Sequence, residues 1–247
     1  MLWGRFLRGD DANAWPDDSR RRVNVKKKLR DLVRRIKALA MPRQERRQSL
    51  VGPAKLWRMK RDFQISFLKR ENLKPAHYLL DIGCGTLRGG IPIIEYLDAG
   101  HYYGIESRKE VLDEGVRELR EAGLEDKRPK LLDSEDNALL TIDRKFDFAW
   151  AFSVLIHMSD DILDRTLHMV SKHLSSSGVF YANVNIGERD DGYWQGFPVV
   201  WRSLDYYKGV CSSHGLRVED VGSLHELGHI SNIHSQDVQR MLRISRM

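Results

Sequence analysis

The sequence predicts an α/β fold in which a doubly wound, mostly parallel sheet carries helices on both faces. Short apolar runs alternate with amphipathic helical patterns from residue 78 onwards, which is typical of a parallel sheet. The first apolar run ends in a glycine-rich turn at residues 81–85, and a helical pattern follows at once. Two further strands are expected at residues 217–221 and 239–244, as a hairpin-like pair at the edge of a seven-stranded sheet.

Each element is justified by its own pattern. The five strands of the body are short apolar runs of the length of buried strands, and they lie at residues 78–82, 102–106, 130–132, 146–152 and 179–185. The helices repeat apolar residues every three or four positions, and they lie at residues 55–72, 86–97, 109–121, 160–174 and 202–214. Ser159, with Asp160 and Asp161, is expected to cap the helix that begins at residue 160.

The chain divides by charge into a leader, residues 1–47, and a domain, residues 48–247. Residues 1–18 carry a net charge of −2, residues 19–47 a net of +11 and residues 48–247 a net of −3. Glycine, proline and aspartate residues that interrupt helices and strands predict disorder in residues 1–18. Residues 19–40 have an apolar stripe among many Lys and Arg and predict a helical extension that ends before Pro42.

Composition excludes several protein classes. No apolar run reaches the roughly eighteen residues of a membrane-spanning helix, and the first residues are too interrupted for a signal peptide. The two cysteines, Cys84 and Cys211, give no disulfide framework. A reducing, cytoplasmic setting is therefore expected.

The glycine turn predicts a nucleotide-type ligand. Gly83 and Gly85 would let bare backbone approach a ligand, because glycine has no Cβ. Glu106 ends the second apolar run twenty-one residues after Gly85, where a carboxylate can accept both hydroxyls of a ribose. The pair indicates an adenosine-type cofactor.

Two residues favour a cationic cofactor over a dinucleotide. The dinucleotide pattern G-x-G-x-x-G requires a third glycine at position 88, where Arg88 stands instead. Arg88 is expected to face solvent at the helix start and receives no firm role. Asp81 places a carboxylate at the strand end, which suits the sulfonium and ammonium of S-adenosylmethionine and not a pyrophosphate.

These motifs resemble those of the class I S-adenosylmethionine-dependent methyltransferases, of the bacterial small-molecule and glycan type. Residues 79–86 are similar to the family's first motif, although Leu87 stands where a third glycine is common. Residues 104–106 are similar to its second motif, and residues 146–157 resemble its fourth strand and following loop. The resemblance covers roughly residues 55–247 and implies a Rossmann-like fold.

The resemblance also implies a set of cofactor-binding residues. It places the methionine end of the cofactor at the glycine turn, the ribose at Glu106 and the adenine at the end of the third strand. The carboxyl end of the fourth strand lines the same crevice. The implied residues are Asp81, Gly83, Cys84, Gly85, Thr86, Glu106, Asp133, Ser134 and Ser153.

His157 is the candidate catalytic residue. It follows the fourth predicted strand, close to where the transferred methyl group should lie, and an imidazole can take a proton near neutral pH. A structural role, in which His157 braces its loop, is the alternative. The long loop at residues 188–198 mixes charge with aromatics and is expected either to close over a polar acceptor or to be an ordinary surface loop.

One motif in the sequence is typical of a different class of protein. His225 and His229 match H-E-x-x-H, a zinc protease signature that requires a helix and a third ligand. The segment joins the last two predicted strands, and Asn232 and Ser235 stand where the extended motif needs glycine and histidine. We therefore expect no metal and interpret His225, His229 and His234 as residues of a solvated loop, with contact to the acceptor or to a metal as the alternative.

The choice of acceptor is narrowed by acceptor-specific motifs of the resembled family that this sequence lacks. The family patterns for nucleic-acid bases, pyrimidine carbon and protein arginine are missing, which leaves an oxygen or a nitrogen of a small molecule, glycan or lipid-linked acceptor. O-methylation is the expected reaction. Residues 19–41 predict binding to an anionic membrane, with peripheral association at its inner face. RNA binding explains the same charge and makes an RNA methyltransferase the alternative. A solvated helix and a non-catalytic cofactor-binding module also stay open.

Overall fold

The computed structural model describes residues 42–133, 142–194 and 197–247. Its helices are α1 Arg43–Ser49, α2 Trp57–Arg70, α3 Gly90–Tyr96, α4 Lys109–Glu121, α5 Asp160–His173, α6 Leu204–Ser212 and α7 His234–Asp237. Its strands are β1 Leu79–Ile82, β2 Tyr102–Glu106, β3 Lys130–Asp133, β4 Phe146–Ala151, β5 Leu174–Val184, β6 Gly192–Trp194, β7 Phe197–Val199, β8 Leu216–Ser223 and β9 Arg240–Arg246.

Seven of these strands form one sheet in the order β3-β2-β1-β4-β5-β9-β8. Strands β1 to β5 pair in parallel, and β9 runs antiparallel to both β5 and β8. The strand order reverses between β1 and β4, so a crevice opens there at the carboxyl ends of the strands. The predicted doubly wound sheet and its closing edge pair are confirmed.

The core has two layers because neighbouring residues of a strand point to opposite faces. Leu79 of β1 packs in a cluster with residues of α2, α3 and α4, whereas Leu80 packs in a cluster with residues of α5 and α6. The alternation continues along β4, where Trp150 joins the first cluster and Ala151 the second. The apolar runs are thus buried on both faces, as a parallel sheet requires.

The helix after the glycine turn begins later than predicted. It starts at Gly90 and not at residue 86. Leu87 has a φ of 58° and is fully buried, so the backbone makes an extra left-handed turn before the helix begins. Burial of the leucine side chain offsets the strain of this conformation, and helix propensity alone cannot reveal such an exchange.

The predicted loop at residues 188–198 contains a short antiparallel pair of strands, β6 and β7. Its aromatic side chains face solvent to different degrees: Tyr193 is 82% exposed, Trp194 42% and Phe197 38%. The loop is therefore partly ordered by backbone pairing while it presents apolar rings at its surface.

The chain divides into two units, residues 1–46 and residues 47–247. Only residues 42–46 of the first unit are described. The predicted disorder of residues 1–18 and the predicted helix at residues 19–40 both lie outside the described residues. Within the described ranges, no helix is long and apolar enough to cross a membrane.

Candidate functional site

The turn after β1 is built on two glycines with left-handed backbone. Gly83 has a φ of 71° and Gly85 a φ of 60°. The N–H groups of Gly83 and Cys84 both donate to the carbonyl of Ile105 in β2, at 2.8 and 2.9 Å. A Cβ atom on Gly83 would lie 2.5 Å from Val154 Cγ2. The turn is therefore closed by β2 on one side and by Val154 on the other, and only glycine fits at position 83.

Substituting Gly83 with alanine should lower the free energy of unfolding by about 2–3 kcal/mol, because the new methyl group is strained by its positive φ and overlaps Val154. Gly123→Ala is the control, since Gly123 also has a positive φ but nothing lies within 4 Å of its added Cβ. Urea unfolding should show a clearly smaller loss for Gly123→Ala. Equal losses in the two variants would contradict the role given to Val154.

Glu106 lies at the end of β2 directly beside this turn. It is buried, and its Oε2 accepts a hydrogen bond from the Gly85 N–H at 3.1 Å. Its Oε1 accepts from the Arg108 backbone N–H at 3.1 Å and from the Arg108 Nε at 3.0 Å. The carboxylate is therefore held in place from both sides. Arg108 Nη2 also donates to Oε2 at 3.5 Å, so the roughly four acceptor positions of the carboxylate are taken and a ligand that donates to Glu106 would displace donors of Arg108.

Asp81, in β1, lies deeper than the turn. Its carboxylate is buried and accepts a hydrogen bond from the Tyr102 hydroxyl at 2.6 Å. Burial raises the pKa of Asp81 to about 7, the Tyr102 bond opposes that change, and the charge of Glu106 raises it further. A cation in the crevice would stabilise the ionised form of this carboxylate.

Two small side chains complete the turn. Thr86 is fully buried, and its Oγ1 has no hydrogen-bond partner among the described residues. Such an unpartnered hydroxyl is available to a ligand. Burial raises the pKa of the Cys84 thiol well above its ordinary value. Cys84 is therefore a small packing residue of the turn and not a nucleophile.

The third predicted contact region lies at the end of β3. Asp133 pairs in register with Glu106, so the ends of β2 and β3 reach the same edge of the crevice. The predicted adenine contact Ser134 lies outside the described residues.

A chain of hydrogen bonds joins the carboxyl ends of β4 and β5 to the start of β9. The backbone N–H of Ser153, which has a φ of 61°, donates to Asn183 Oδ1 at 2.7 Å. Asn183 Nδ2 in turn donates to Gln239 Oε1 at 2.6 Å. Asn183 is fully buried, so this chain holds the loop after β4 in a fixed position beside the glycine turn.

His157 follows that loop and is half-buried. Its Nδ1 lies 2.6 Å from the carbonyl oxygen of Pro198 in β7. Because a carbonyl only accepts, Nδ1 carries the hydrogen and Nε2 of the neutral ring is left as an acceptor. Burial lowers the pKa of His157, the bond to Pro198 opposes this, and the charges of Arg108 and Lys60 lower it further. The imidazole is therefore neutral at pH 7.

The hairpin of β6 and β7 packs over His157. The ring centroids of Trp194 and Phe197 lie 6.4 and 5.9 Å from the imidazole. The Arg108 guanidinium lies 5.4 Å from the Phe197 ring centroid. Arg108 therefore connects the Glu106 carboxylate to the hairpin that holds His157.

Two predictions near the site were wrong. The suggested solvent position of Arg88 fails, because Arg88 is 8% exposed and donates to the Val51 carbonyl at 2.8 Å. Ser159 is the N-cap residue of α5 as expected, but the expected cap hydrogen bond from its side chain is absent. Asp160 instead accepts from Arg202 Nε at 3.0 Å.

The H-E-x-x-H segment does not have the geometry of the zinc protease signature. His225 is exposed and His229 is fully buried, in a turn between β8 and β9, so the two imidazoles do not share a helix face. No group of three potential ligands that could hold a metal ion occurs among the residues the structure describes. The expectation that His229 belongs to a solvated loop was also wrong, because long-range packing buries it.

Sequence reasoning missed several residues of the crevice. Lys60 and Gln64 lie on the buried face of α2, and Gln64 Oε1 accepts a hydrogen bond from Trp150 Nε1 at 3.0 Å. A polar residue inside the helical stripe formed with Phe63 and Phe67 was the available signal. Arg108 gave no comparable signal, because its contact with Glu106 depends on side-chain conformation.

A family model matches part of the chain. Residues 80–180 match a family model described as a methyltransferase domain. A search of curated proteins finds no match.

Solved structures share the fold at low sequence identity. An S-adenosylmethionine-dependent methyltransferase from Clostridium acetobutylicum ATCC 824 is 16% identical, with 77% of this chain and 92% of that chain covered and a TM-score of 0.58. Magnesium protoporphyrin IX methyltransferase from Synechocystis PCC 6803, with bound SAH, is 14% identical, with 78% and 84% covered and a TM-score of 0.58. A glycopeptide N-methyltransferase complexed with S-adenosyl-L-homocysteine is 13% identical, with 76% and 90% covered and a TM-score of 0.58.

Proposed function

We propose that this chain, which carries a class I S-adenosylmethionine-dependent methyltransferase domain, methylates an oxygen of a small-molecule, glycan or lipid-linked acceptor. The family match confirms the resemblance on which the enzyme class was predicted. S-adenosylmethionine as cofactor agrees with the neighbours, several of which are crystallised with SAM or SAH. The observation that carries the proposal is the buried Glu106 carboxylate bound to the Gly85 N–H at the crevice.

The residues of the crevice fit this cofactor. Two buried carboxylates, Asp81 and Glu106, stand beside a turn whose glycines expose backbone, which suits a ligand with positive charge and ribose hydroxyls. The unpartnered Thr86 Oγ1 supplies a further polar contact. We assign Asp81, Gly83, Cys84, Gly85 and Thr86 to the methionine end, and Glu106 to the ribose.

The remaining assignments follow the strand order. Asp133 and Ser134 are assigned to the adenine, because the end of β3 lies beyond Glu106 in the sheet. Ser153 is assigned to the junction between cofactor and acceptor, since the loop after β4 lies on the other side of the glycine turn.

When bound, S-adenosylmethionine supplies a methyl group that its sulfonium charge has already activated. The chain's own residues then have to align the acceptor and remove its proton. Proton removal is assigned to His157, because Pro198 holds its Nδ1–H and the neutral Nε2 can accept the proton of a hydroxyl. The rings of Trp194 and Phe197 pack near the imidazole.

The acceptor class is proposed from neighbours and from the hairpin. Neighbours named for a glycopeptide and for a porphyrin support a small-molecule or glycan acceptor. Exposed aromatic rings on the hairpin, above all Tyr193, offer faces on which a sugar or another ring can pack.

Transfer of tritium from methyl-labelled S-adenosylmethionine tests the proposal. The full-length protein is incubated with a panel of hydroxylated small molecules, oligosaccharides, lipid-linked sugars, amines and RNA. We expect label in a hydroxyl-bearing member, as an ether that resists alkaline hydrolysis. Label in RNA alone, or in no member while the cofactor binds, would contradict the proposed acceptor class.

The leader is proposed to bind an anionic membrane surface through residues 19–41. Vesicles that contain phosphatidylglycerol should therefore float the full-length protein, and 0.5 M salt should release it, since exposed charges attract weakly beyond a Debye length of about 5 Å at that concentration. Deletion of residues 1–41 should abolish flotation and leave cofactor binding intact. Flotation of the truncated protein, or none of the full-length protein, would contradict this role.

A further inference from the structure

Lys60 is an unexpected residue on the buried face of α2. It shares that face with Phe63, Gln64 and Phe67, and only 6% of it is exposed. Its Nζ lies 5.8 Å from the ring centroid of Phe152, just after β4. Among residues 42–133, 142–194 and 197–247, no hydrogen bond or ion pair holds the ammonium, and it is not one of the fully enclosed polar atoms that lack a partner. A largely buried cation that no counter-ion contacts is costly, so a bound anion would stabilise it.

His229 is a second buried basic group without a full set of partners. It is 0% exposed, and its Nδ1 lies 3.1 Å from Asp237 Oδ1, so Nδ1 donates to that carboxylate. Asp237 is held in turn by the Ser231 N–H at 2.9 Å. The opposite nitrogen, Nε2, is buried and has no hydrogen-bond partner in the described part of the chain. Asp237 thus orients an imidazole whose free nitrogen faces the interior.

The two groups converge on the same ring. The His229 imidazole packs on Phe152 at 5.6 Å and on Phe63 at 5.2 Å between ring centroids, and the Lys60 ammonium stands over Phe152. Phe152 directly precedes Ser153, so the cluster lies beside the loop that leads to His157. Lys60 is close enough to lower the pKa of both His157 and His229 through its charge.

We propose that Lys60 and the Asp237-oriented His229 form a buried anion site that receives a carboxylate or phosphate group of the acceptor. The inference rests on the proposed methyltransferase function and names a chemical feature of its substrate. One anionic group would accept a charge-assisted hydrogen bond from the Lys60 ammonium and, because Nε2 of the neutral His229 ring only accepts, a second one once Nε2 has taken up a proton from solvent. The anion and the two basic groups would then offset each other's desolvation.

The position in the sheet assigns this site to the acceptor. The assigned ribose and adenine contacts lie over β2 and β3, on one side of the glycine turn. Phe152 and the β8–β9 connection lie on the other side, over β4, β5 and β9. The cofactor carries a carboxylate of its own, which is chemically similar to the anionic group proposed for the acceptor. The experiment is therefore designed to distinguish the cofactor's carboxylate from an anionic group of the acceptor.

The charged groups around Lys60 predict how the site responds to pH. Arg88 faces it from the glycine turn, His229 and Asp237 from the β8–β9 connection, and His157 from the loop after β4. Burial and, to a smaller extent, the charge of Arg88 lower the pKa of Lys60 to about 7, against the opposing charge of Asp237. An amine is charged below its pKa, so anion affinity should fall as the pH rises from 6 to 8.5.

Isothermal titration with inorganic sulfate tests the site, because sulfate keeps its charge across this pH range. The full-length protein is first saturated with S-adenosylhomocysteine, and chloride holds the ionic strength constant. We expect sulfate to bind wild-type protein at pH 6 and at least 10-fold more weakly at pH 8.5. At pH 6, Lys60→Met and His229→Asn should each weaken sulfate binding at least 10-fold.

The controls follow from the structure. Lys69→Met makes the same change on the exposed face of α2 and should bind sulfate like wild type. His229→Asn keeps a donor near Asp237 while it removes Nε2. Lys60→Met should keep or raise the Tm, since it replaces an unpaired buried charge by an apolar chain of similar length. A lower Tm with unchanged sulfate affinity would mean a structural lysine and overturn the proposal.

Three further results would also overturn the inference. The first is no sulfate binding by wild type, and the second is equal sulfate affinity in wild type and both site variants. The third is a Lys60→Met protein that binds S-adenosylhomocysteine poorly but 5′-methylthioadenosine normally, because the lysine would then hold the cofactor's own carboxylate. Failure of wild type to bind S-adenosylhomocysteine would instead contradict the proposed function.

Discussion

Replacing Glu106 with alanine should weaken the binding of S-adenosylhomocysteine about 100-fold. Under the proposed function, the two ribose hydroxyls donate to this carboxylate, and hydrogen bonds to charged groups contribute about 1.5–3 kcal/mol each. A net loss of roughly 3 kcal/mol corresponds to that factor. The side chain is buried and held by the Gly85 N–H, so little of its binding energy is spent on ordering it.

The measurement is isothermal titration at pH 7.5 with three comparison variants. Glu110→Ala removes an exposed carboxylate near the start of α4 and should bind normally. Glu106→Gln keeps the shape and should lose less than alanine. In Glu106→Ala the Arg108 guanidinium loses its carboxylate partner, which can itself change cofactor affinity. Measuring Arg108→Ala alone and combined with Glu106→Ala distinguishes this effect from the loss of the ribose contact. Cofactor affinity that is unchanged in Glu106→Ala would refute the assignment of the ribose site.

Replacing His157 with asparagine should lower kcat about 100-fold and leave cofactor affinity unchanged. A positioned general base contributes typically 10²- to 10⁴-fold. Asparagine can still donate to the Pro198 carbonyl, which His157 Nδ1 contacts at 2.6 Å, so the hairpin should stay in place while the basic nitrogen is lost. The experiment uses the acceptor that the tritium-transfer panel identifies.

The pH dependence of activity distinguishes a general base at His157 from a residue that only braces its loop. Burial lowers the pKa of His157, so its neutral form prevails at pH 7 and wild-type activity should fall only as the pH drops below about 6.5, the ordinary histidine value. His157→Asn should lack this acid limb. His168→Asn, which changes an exposed histidine of α5, should keep it. A His157→Asn enzyme with wild-type kcat would assign the residue to loop bracing alone.

The parts of the fold that the sequence predicts well are those set by local pattern. The strand at residues 102–106 and the helix at residues 109–121 have the predicted bounds, because an apolar run and an amphipathic repeat each mark their own ends. The helix after the turn was misplaced, since Leu87 adopts a left-handed conformation that only its burial explains. Local patterns carry no information about such long-range compensation.

The same distinction applies to the site. The glycine turn and Glu106 are neighbours at strand ends, and parallel pairing brings them together as their spacing suggests. The burial of Arg88 depends on the carbonyl of Val51, and the burial of His229 depends on Phe63 and Phe152. These partners come from distant segments, so the sequence predicted the contact between the glycine turn and Glu106 better than it predicted the packing around Arg88 and His229.

Titration of the wild-type, full-length protein with S-adenosylhomocysteine and, separately, with NAD⁺ tests the central claim most directly. A crevice whose buried acidic groups suit a sulfur nucleoside should bind S-adenosylhomocysteine at one site per chain and give no binding heat with NAD⁺. Binding of NAD⁺ without binding of S-adenosylhomocysteine would contradict the account.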